Sequence, residues 1–233
     1  MEIRSGTSGF SYKEWKGSFY PEDLSAGDML SFYAGRLPAV EINNTFYRMP
    51  KPEVLGSWAE QTGDDFRFVL KASRRITHFK RLKDVDDEVD YFLRSAGTLR
   101  ERLGAVLFQL PPNLKKDAER LGEFLARLGD PTRVAFEFRH PSWHETDVVD
   151  LLREHGAALV AADTEEEAGS IVHTGPLGYL RLRRADYSSD DLTDWARRVR
   201  EAGWERAYVF FKHEDAGAGP ALAREFMERV ESP

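Results

Sequence analysis

The stretch "RVAFEFRH", residues 133–140, alternates large apolar side chains with charged ones. Because side chains point to opposite faces along a β-strand, this run predicts a strand with one apolar and one polar face. The apolar face carries Val134, Phe136 and Phe138. The polar face carries Glu137 and Arg139 near the end of the run. Charges beside phenylalanines at a strand end indicate solvent-exposed side chains, a structural ion pair or the floor of a binding site.

Seven predicted strands show the same division into an apolar and a polar face. Their polar residues are Glu41 and Asn43, Lys71, Gln109, Glu137 and Arg139, Asp163, Arg181 and Arg183, and Lys212. In a barrel of parallel strands, one face packs against outer helices and the other points into the lumen. The polar residues would then converge at the C-terminal ends of the strands, where barrel enzymes have their active sites. The pattern therefore predicts a polar pocket in the barrel mouth, with Asp163 facing the lumen beside Lys71, Glu137 and Arg139.

Eight strand-like runs along the chain predict the overall architecture. They begin near residues 2, 39, 66, 105, 133, 157, 179 and 207. Helix-like runs with apolar residues at three-to-four spacing lie between most of them. Segment 164–178 is too short and too broken for a full helix, so the sixth crossover should be short or irregular. We expect a single α/β domain over residues 1–233, folded as a TIM-type (β/α)₈ barrel. An open doubly wound sheet is the alternative, and no G-x-G-x-x-G follows the first strand to support its dinucleotide-binding form.

Composition limits the class of protein. Of 233 residues, 41% are hydrophobic and 31% are charged, as in soluble globular domains. A net charge of −7 disfavours a general nucleic-acid or anionic-membrane binder without excluding nucleic acid. The chain has no cysteine, which excludes disulfides and a cysteine nucleophile. The N-terminal residues lack a signal-peptide core and no apolar run reaches membrane-spanning length, so a cytoplasmic protein is expected.

Motifs along nearly the whole chain carry a family resemblance: "GTSGFSYKEWKGSFYP" at 6–21, "VEINNTFYRMP" at 40–50, "FRFVLKASRRITHFKRL" at 66–82, "LGAVLFQLPP" at 103–112 and "AFEFRHPSWHE" at 135–145, with looser matches at 179–184 and 208–215. Together they resemble the YecE-like family, catalogued as domain of unknown function 72. The resemblance implies a TIM-barrel fold and no established reaction. Many members carry a His-Gly pair where this chain has Arg183-Arg184, so no role of that histidine is transferred.

The candidate site residues divide into acids and substrate ligands. Glu41, Glu137 and Asp163 are candidates for acid–base catalysis, since paired carboxylates serve proton transfer and glycosidic cleavage. The substrate-binding candidates are Asn43, Tyr47, Lys71, His78, Gln109, Arg139, Trp143, Arg181, Arg183 and Lys212. The alternative is that the acids and bases only pair with one another as a structural ion network.

Loops beyond the strands add further expectations. The basic stretch at 71–83 could hold an anion over the mouth, or lie as a solvated surface loop. Ser142 has capping-box spacing, which predicts that it caps the next helix, and His140 is expected to be hydrogen-bonded in the same turn. The loops after the last two strands would form a phosphate site from Arg183, Arg184, Lys212, Gly217 and Gly219.

These observations favour a barrel that binds or acts on a small anionic or polyhydroxylated metabolite, such as a phosphorylated sugar or a nucleotide-like molecule. A hydrolase, a lyase and an isomerase each fit. One alternative is a noncatalytic protein that binds a metabolite or nucleic acid, and another is a metal-dependent hydrolase or isomerase. The histidines that could join the acids as metal ligands are His78, His140, His173 and His213. Because no H-x-H or H-E-x-x-H motif is present, neither a metal nor a cofactor is expected.

Overall fold

The computed structural model describes residues 1–212 and 217–231. Nine parallel strand segments in this part of the chain form one sheet, in the order β6-β5-β4-β3-β2-β1-β9-β8-β7. Their bounds are β1 Glu2–Ser8, β2 Ala39–Ile42, β3 Arg67–Lys71, β4 Leu103–Gln109, β5 Val134–Glu137, β6 Ala158–Leu159, β7 Ala161–Asp163, β8 Leu177–Leu182 and β9 Arg206–Phe211. Val160 alone separates β6, which pairs with β5, from β7, which pairs with β8. The sheet is therefore a nearly closed barrel, which confirms the TIM-type prediction, and the predicted sixth strand is split in two.

Helices surround the barrel. The α-helices of the described residues are α1 Met29–Ala34, α2 Pro52–Glu60, α3 Asp86–Ala96, α4 Ala118–Arg127, α5 Thr146–His155, α6 Ser189–Glu201 and α7 Ala218–Glu231. Each presents an apolar stripe to the sheet, as α4 does with Leu121, Phe124 and Leu125. The crossover from β7 to β8 contains no helix, which confirms the irregular sixth connection. No helix in the described part of the chain is long and apolar enough to cross a bilayer.

The alternation of side chains divides the apolar core into two layers. The outer layer lies between strands and helices, where Phe136 of β5 packs edge-to-face on Phe124 of α4. The inner layer fills the lumen with Ala39, Val69, Ala105, Leu107, Ala135, Ala158, Val160, Leu177, Tyr179, Tyr208 and Phe210. On several strands the polar residue lies two positions beyond one of these apolar residues. Apolar packing therefore closes the lower lumen, and the polar side chains meet at its C-terminal end.

The predicted facing is confirmed for β2, β3, β4, β5, β8 and β9, and it is wrong for the sixth strand. Ala161 belongs to the outer layer, whereas Val160 packs in the lumen with Ala162 beside it. The side chain of Asp163 therefore lies on the outer face of the barrel, not in the lumen. The error has a physical cause: alanines lie on both sides of this strand and provide no contrast in hydropathy, so the prediction depended on Asp163 alone.

Candidate functional site

Two carboxylates and one guanidinium form a buried ionic cluster near the C-terminal ends of β2, β5 and β8. Arg181 lies between Glu41 and Glu137. Its Nη2 donates to Glu41 Oε1 at 2.8 Å, and its Nη1 donates to Glu137 Oε2 at 2.5 Å. No more than 3% of any of the three side chains is exposed. Buried charges are tolerated when they are paired and hydrogen-bonded, as these are. We call these three residues the ionic triad.

Glu41 is surrounded by donors. Besides Arg181, the Ser8 hydroxyl donates to it at 2.7 Å, the Tyr179 hydroxyl at 2.6 Å and the Asn43 amide at 3.0 Å. Burial opposes ionisation of this carboxyl group, but Arg181 and the hydroxyl donors outweigh burial and hold the pKa of Glu41 below its ordinary value. Glu41 is therefore an ionised acceptor with its hydrogen-bonding capacity largely used.

Glu137 is ionised for a similar reason. Burial raises its pKa, but the charges of Arg181, Arg139 and Arg183 outweigh burial and bring the pKa of Glu137 down to about 2. Arg139 Nε donates to Glu137 Oε1 at 3.3 Å, and Arg183 Nη1 lies 3.7 Å from the same oxygen. A carboxyl group with this pKa holds no proton to donate at neutral pH. Its contacts with three arginines suit a charge partner better than a general acid.

Lys71, at the end of β3, has a different environment. Its ammonium donates to Gln109 Oε1 at 2.8 Å and lies 4.3 Å from the centroid of the Phe46 ring. No carboxylate of the described residues lies within salt-bridge distance of it. Burial and the positive charge of Arg181 lower the pKa of Lys71 to about 8. The site thus places a desolvated amine beside the ionic triad.

The barrel mouth carries an excess of positive charge. We call Lys71, Arg139 and Arg183 the mouth cations. Burial and Arg181 lower the pKa of Arg183, and burial together with Lys71 and Arg139 lowers the pKa of His78. Burial is the larger cause of both pKa shifts, and the neighbouring cations add to it. In a chain of net charge −7, this excess would attract an anion specifically to the mouth.

An amphipathic groove of about 380 Å³ opens beside the triad, at the C-terminal ends of β1 and β2. Its lining includes the aromatic rings of Phe10, Tyr12 and Trp58. Asn43 also lines the groove, and its side-chain amide donates a hydrogen bond to Glu41, so this residue lies between the groove and the triad. Aromatic faces with a few amides suit a sugar ring or a base.

The two aromatic candidates, Trp143 and Tyr47, lie in different surroundings. Trp143 is buried in the outer layer, stacked on Phe138 with ring centroids 4.7 Å apart, and its indole donates to the Leu114 carbonyl. It anchors the loop after β5. Tyr47 is 66% exposed and packs edge-on against Phe46 at the rim. Lys212 follows β9 and is likewise exposed at the rim.

Asp163 is separated from Glu41 and Glu137. On the outer face it accepts hydrogen bonds of 2.9 Å each from the Gly169 amide, Arg184 Nε and the Tyr187 hydroxyl. Arg184 also pairs with Asp191 at 2.9 Å, so its guanidinium is held by two carboxylates outside the mouth. The expectation that Asp163 faces the lumen is wrong, and Arg184 does not join the mouth cations.

Substituting Asp163 with alanine is expected to destabilise the protein by about 1–3 kcal/mol, because buried donors lose their acceptor. Anion binding at the mouth should be unchanged. Urea denaturation and phosphate titration of Asp163→Ala check this. Asp194→Ala is the matched control, since that carboxylate pairs with Arg197 on the exposed surface and should contribute less than about 1 kcal/mol. Loss of phosphate binding in Asp163→Ala with an unchanged unfolding free energy would contradict the structural role.

The basic stretch at 71–83 divides between two environments. A π-helix over Arg75–Phe79 reverses the chain after β3. Lys71 and His78 lie at the mouth, where the imidazole packs edge-on against the Phe46 ring. Arg75 and Lys80 instead pair with Glu88 of α3 at 2.7 and 2.9 Å. Part of the stretch therefore lies at the mouth, where the anion-binding interpretation stays a prediction, and part of it pairs with α3 at the surface.

In the turn after β5, Ser142 makes other hydrogen bonds than the predicted helix cap. Ser142 Oγ accepts from the Lys116 amide at 2.8 Å and does not cap a helix. Helix α5 begins at Thr146, and its N-cap residue Glu145 makes no side-chain cap. The cap prediction is wrong. His140 Nδ1 lies 2.9 Å from Ser142 Oγ and accepts from the Ser142 amide, which confirms its turn role.

Two residues of the site were missed by the sequence analysis. Ser8 is the last residue of β1, and Tyr179 precedes Arg181 by two positions on the lumen face of β8; both donate to Glu41. Strand alternation would have indicated Tyr179. Within residues 1–212 and 217–231, no three His, Asp or Glu side chains are grouped as metal ligands, and His213 lies outside the described residues.

Comparisons with known proteins agree with this fold. The family model "Protein of unknown function DUF72" matches residues 4–233. The UPF0759 protein YecE of Escherichia coli K12 is 39% identical over 231 residues, covering 85% of this chain and 84% of that protein. The UPF0759 protein YunF of Bacillus subtilis 168 is 28% identical over 256 residues, covering 92% and 90%.

A solved DUF72 family protein from Thermotoga maritima MSB8 superposes with a TM-score of 0.87 at 28% identity, over 100% of both chains. Another from Enterococcus faecalis V583 has a TM-score of 0.80 at 20% identity, over 99% of this chain and 96% of that one, and shows the shared fold. With the family model matching nearly every residue and a YecE protein matching most of the chain, this protein belongs to the YecE-like DUF72 family.

Proposed function

We propose that this protein binds a small anionic, polyhydroxylated metabolite at the C-terminal face of its barrel. The phosphate or carboxylate group would lie against the mouth cations Lys71, Arg139 and Arg183. The observation that carries the proposal is the convergence of three cations at the mouth: Arg139 and Arg183 both approach Glu137 Oε1, at 3.3 and 3.7 Å, and Lys71 has the neutral Gln109 amide oxygen as its hydrogen-bond partner. An anion bound there would relieve the repulsion among these cations.

The ionic triad would form the floor of this site. Because Glu137 is in contact with Arg139 and Arg183 as well as Arg181, it holds two of the mouth cations in place. Guanidinium groups suit bidentate contacts to phosphate and carboxylate. The groove at the C-terminal ends of β1 and β2, which Asn43 also lines, would offer aromatic side chains to the hydroxyl-bearing part of the ligand.

A noncatalytic metabolite-binding protein fits the same site. The specific observation in its favour is that both triad carboxylates are ionised and already paired, so that Glu41 and Glu137 are not available as general acids. If the protein is an enzyme, these carboxylates would act as acceptors or by stabilising positive charge. Turnover in a screen of sugar phosphates and other anionic metabolites separates an enzyme from a binder.

Calorimetric titration with inorganic phosphate and with ribose 5-phosphate tests the proposal. Wild-type protein is expected to bind, more weakly as salt is raised. Arg183→Met should weaken binding by roughly 10- to 100-fold, the effect of losing one charge-assisted hydrogen bond. Arg183 is chosen because it is partly exposed, so that its loss leaves the triad intact.

The matched control is Arg197→Met on the outer surface of α6, which should bind as wild type does. Absence of binding to the wild-type protein would contradict the proposal. So would equal affinities in the wild type, Arg183→Met and Arg139→Met.

A further inference from the structure

Lys71 differs from the arginines around it in what it contacts. Arg139, Arg181 and Arg183 each approach a carboxylate oxygen of Glu137, at 3.3, 2.5 and 3.7 Å. Lys71 donates to the neutral amide oxygen of Gln109 and lies over an aromatic ring. No carboxylate of the described residues lies within salt-bridge distance of its ammonium, and Glu41 and Glu137 act on it only at longer range.

The surroundings of Lys71 favour its neutral amine. The side chain is largely withdrawn from water, and Arg181 and Arg139 add positive charge. These effects outweigh the opposing charges of Glu41 and Glu137, so the pKa of Lys71 falls to about 8. Desolvation and a neighbouring cation are the two means by which enzymes activate a lysine as a nucleophile. At pH 8 such an amine has roughly 100-fold more neutral form than an ordinary lysine of pKa about 10.4.

We propose that Lys71 is a nucleophilic amine that forms an imine with the carbonyl group of an anionic substrate held in the barrel mouth. The proposal rests on the proposed function, because Arg139 and Arg183 would hold the anionic group and so bring the carbonyl carbon to Nζ. The substrate class is that of α-keto acids and open-chain sugar phosphates.

The step uses only the amine and the substrate. The lone pair of neutral Nζ attacks the carbonyl carbon, and the π electrons of the C=O bond move to oxygen. A proton passes from nitrogen to that oxygen to give a carbinolamine. Loss of one water molecule then leaves a C=N bond, which takes a proton from solvent to become an iminium cation. Neighbouring Glu137, which is ionised, would stabilise that positive charge.

Reductive trapping tests this. The full-length protein is incubated at pH 8 with pyruvate, with glyceraldehyde 3-phosphate or with neutral hydroxyacetone, each with sodium cyanoborohydride as the hydride donor. Peptide mass spectrometry then locates the adducts. With the two anionic compounds we expect labelling of Lys71 at least about tenfold above that of Lys83, an exposed lysine nearby.

Variants make the outcomes distinguishable. In the Lys71→Arg variant, the adduct at position 71 should be absent. The variant should still bind phosphate, and this binding would show that it is folded. Lys116→Met, which removes a lysine paired with Glu145 and Asp147 on the surface, should label as wild type does.

Phosphate binding without labelling of Lys71 by any carbonyl compound would overturn the imine proposal and leave the proposed function intact. Equal labelling of Lys71 by hydroxyacetone and pyruvate, unchanged in Arg183→Met, would support the amine and overturn the anionic substrate and the function on which it rests.

Discussion

Replacing Arg181 with methionine is expected to lower the free energy of unfolding by about 3–5 kcal/mol, the usual cost of breaking a buried ion pair from one side. The variant leaves Glu41 and Glu137 buried without the guanidinium that both contact. A methionine restores most of the volume, so the loss reports on charge more than on packing. Urea denaturation at pH 7 measures it.

Two further variants define the cause of this loss. The triple variant Glu41→Gln, Arg181→Met, Glu137→Gln should recover much of the stability, because the two buried carboxylates and the guanidinium between them are neutralised together. Arg197→Met removes an exposed arginine that also contacts two carboxylates, and should cost less than about 1 kcal/mol. If Arg181→Met costs as little as Arg197→Met, the triad is not a buried network.

Acid is expected to destabilise the protein through Glu137. Its pKa of about 2 in the folded protein lies below the ordinary value of 4.5, so the folded state favours the ionised form. The stabilisation is therefore fully present above about pH 5 and is lost as the pH falls towards 2. At about 1.4 kcal/mol per pKa unit, the shift corresponds to roughly 3 kcal/mol.

Unfolding free energies of the wild type and Glu137→Gln at pH values from 7 to 3 test this. The variant should be less stable at pH 7, and the two curves should converge in acid because the amide of the variant does not titrate. Glu154→Gln, at an exposed position of α5, should run parallel to the wild type. Parallel curves for Glu137→Gln and the wild type would show that this carboxyl group does not have the lowered pKa.

The alternative of a structural ion network, left open by the sequence, holds for one part of the mouth. Glu41, Glu137 and Arg181 satisfy one another in the barrel interior. Lys71 and Arg183 lie above them with their pKa values lowered by the same arginine. The ionic triad would hold these cations in position, and their charges are only partly compensated. Both features are consistent with an anion site.

The sequence by itself determined the barrel and the facing of most of its strands. Alternation is a local property of extended backbone, so "RVAFEFRH" at 133–140 was sufficient to place Phe136 outside and Glu137 inside. The contrast between large apolar and charged residues carried that information. Where it was missing, in the alanine-rich sixth strand, Asp163 was assigned to the wrong face.

Only the tertiary structure decided which charges meet. Arg181 is 140 residues from Glu41 and 44 from Glu137, and the pairing depends on the curvature and closure of the sheet. The same closure places Lys71 beside the amide oxygen of Gln109. Arg184 and Trp143 instead contact Asp191 and the Leu114 carbonyl, outside the mouth. Strand alternation is set by neighbouring residues, whereas the partner of a charge is set by strands brought together across the barrel.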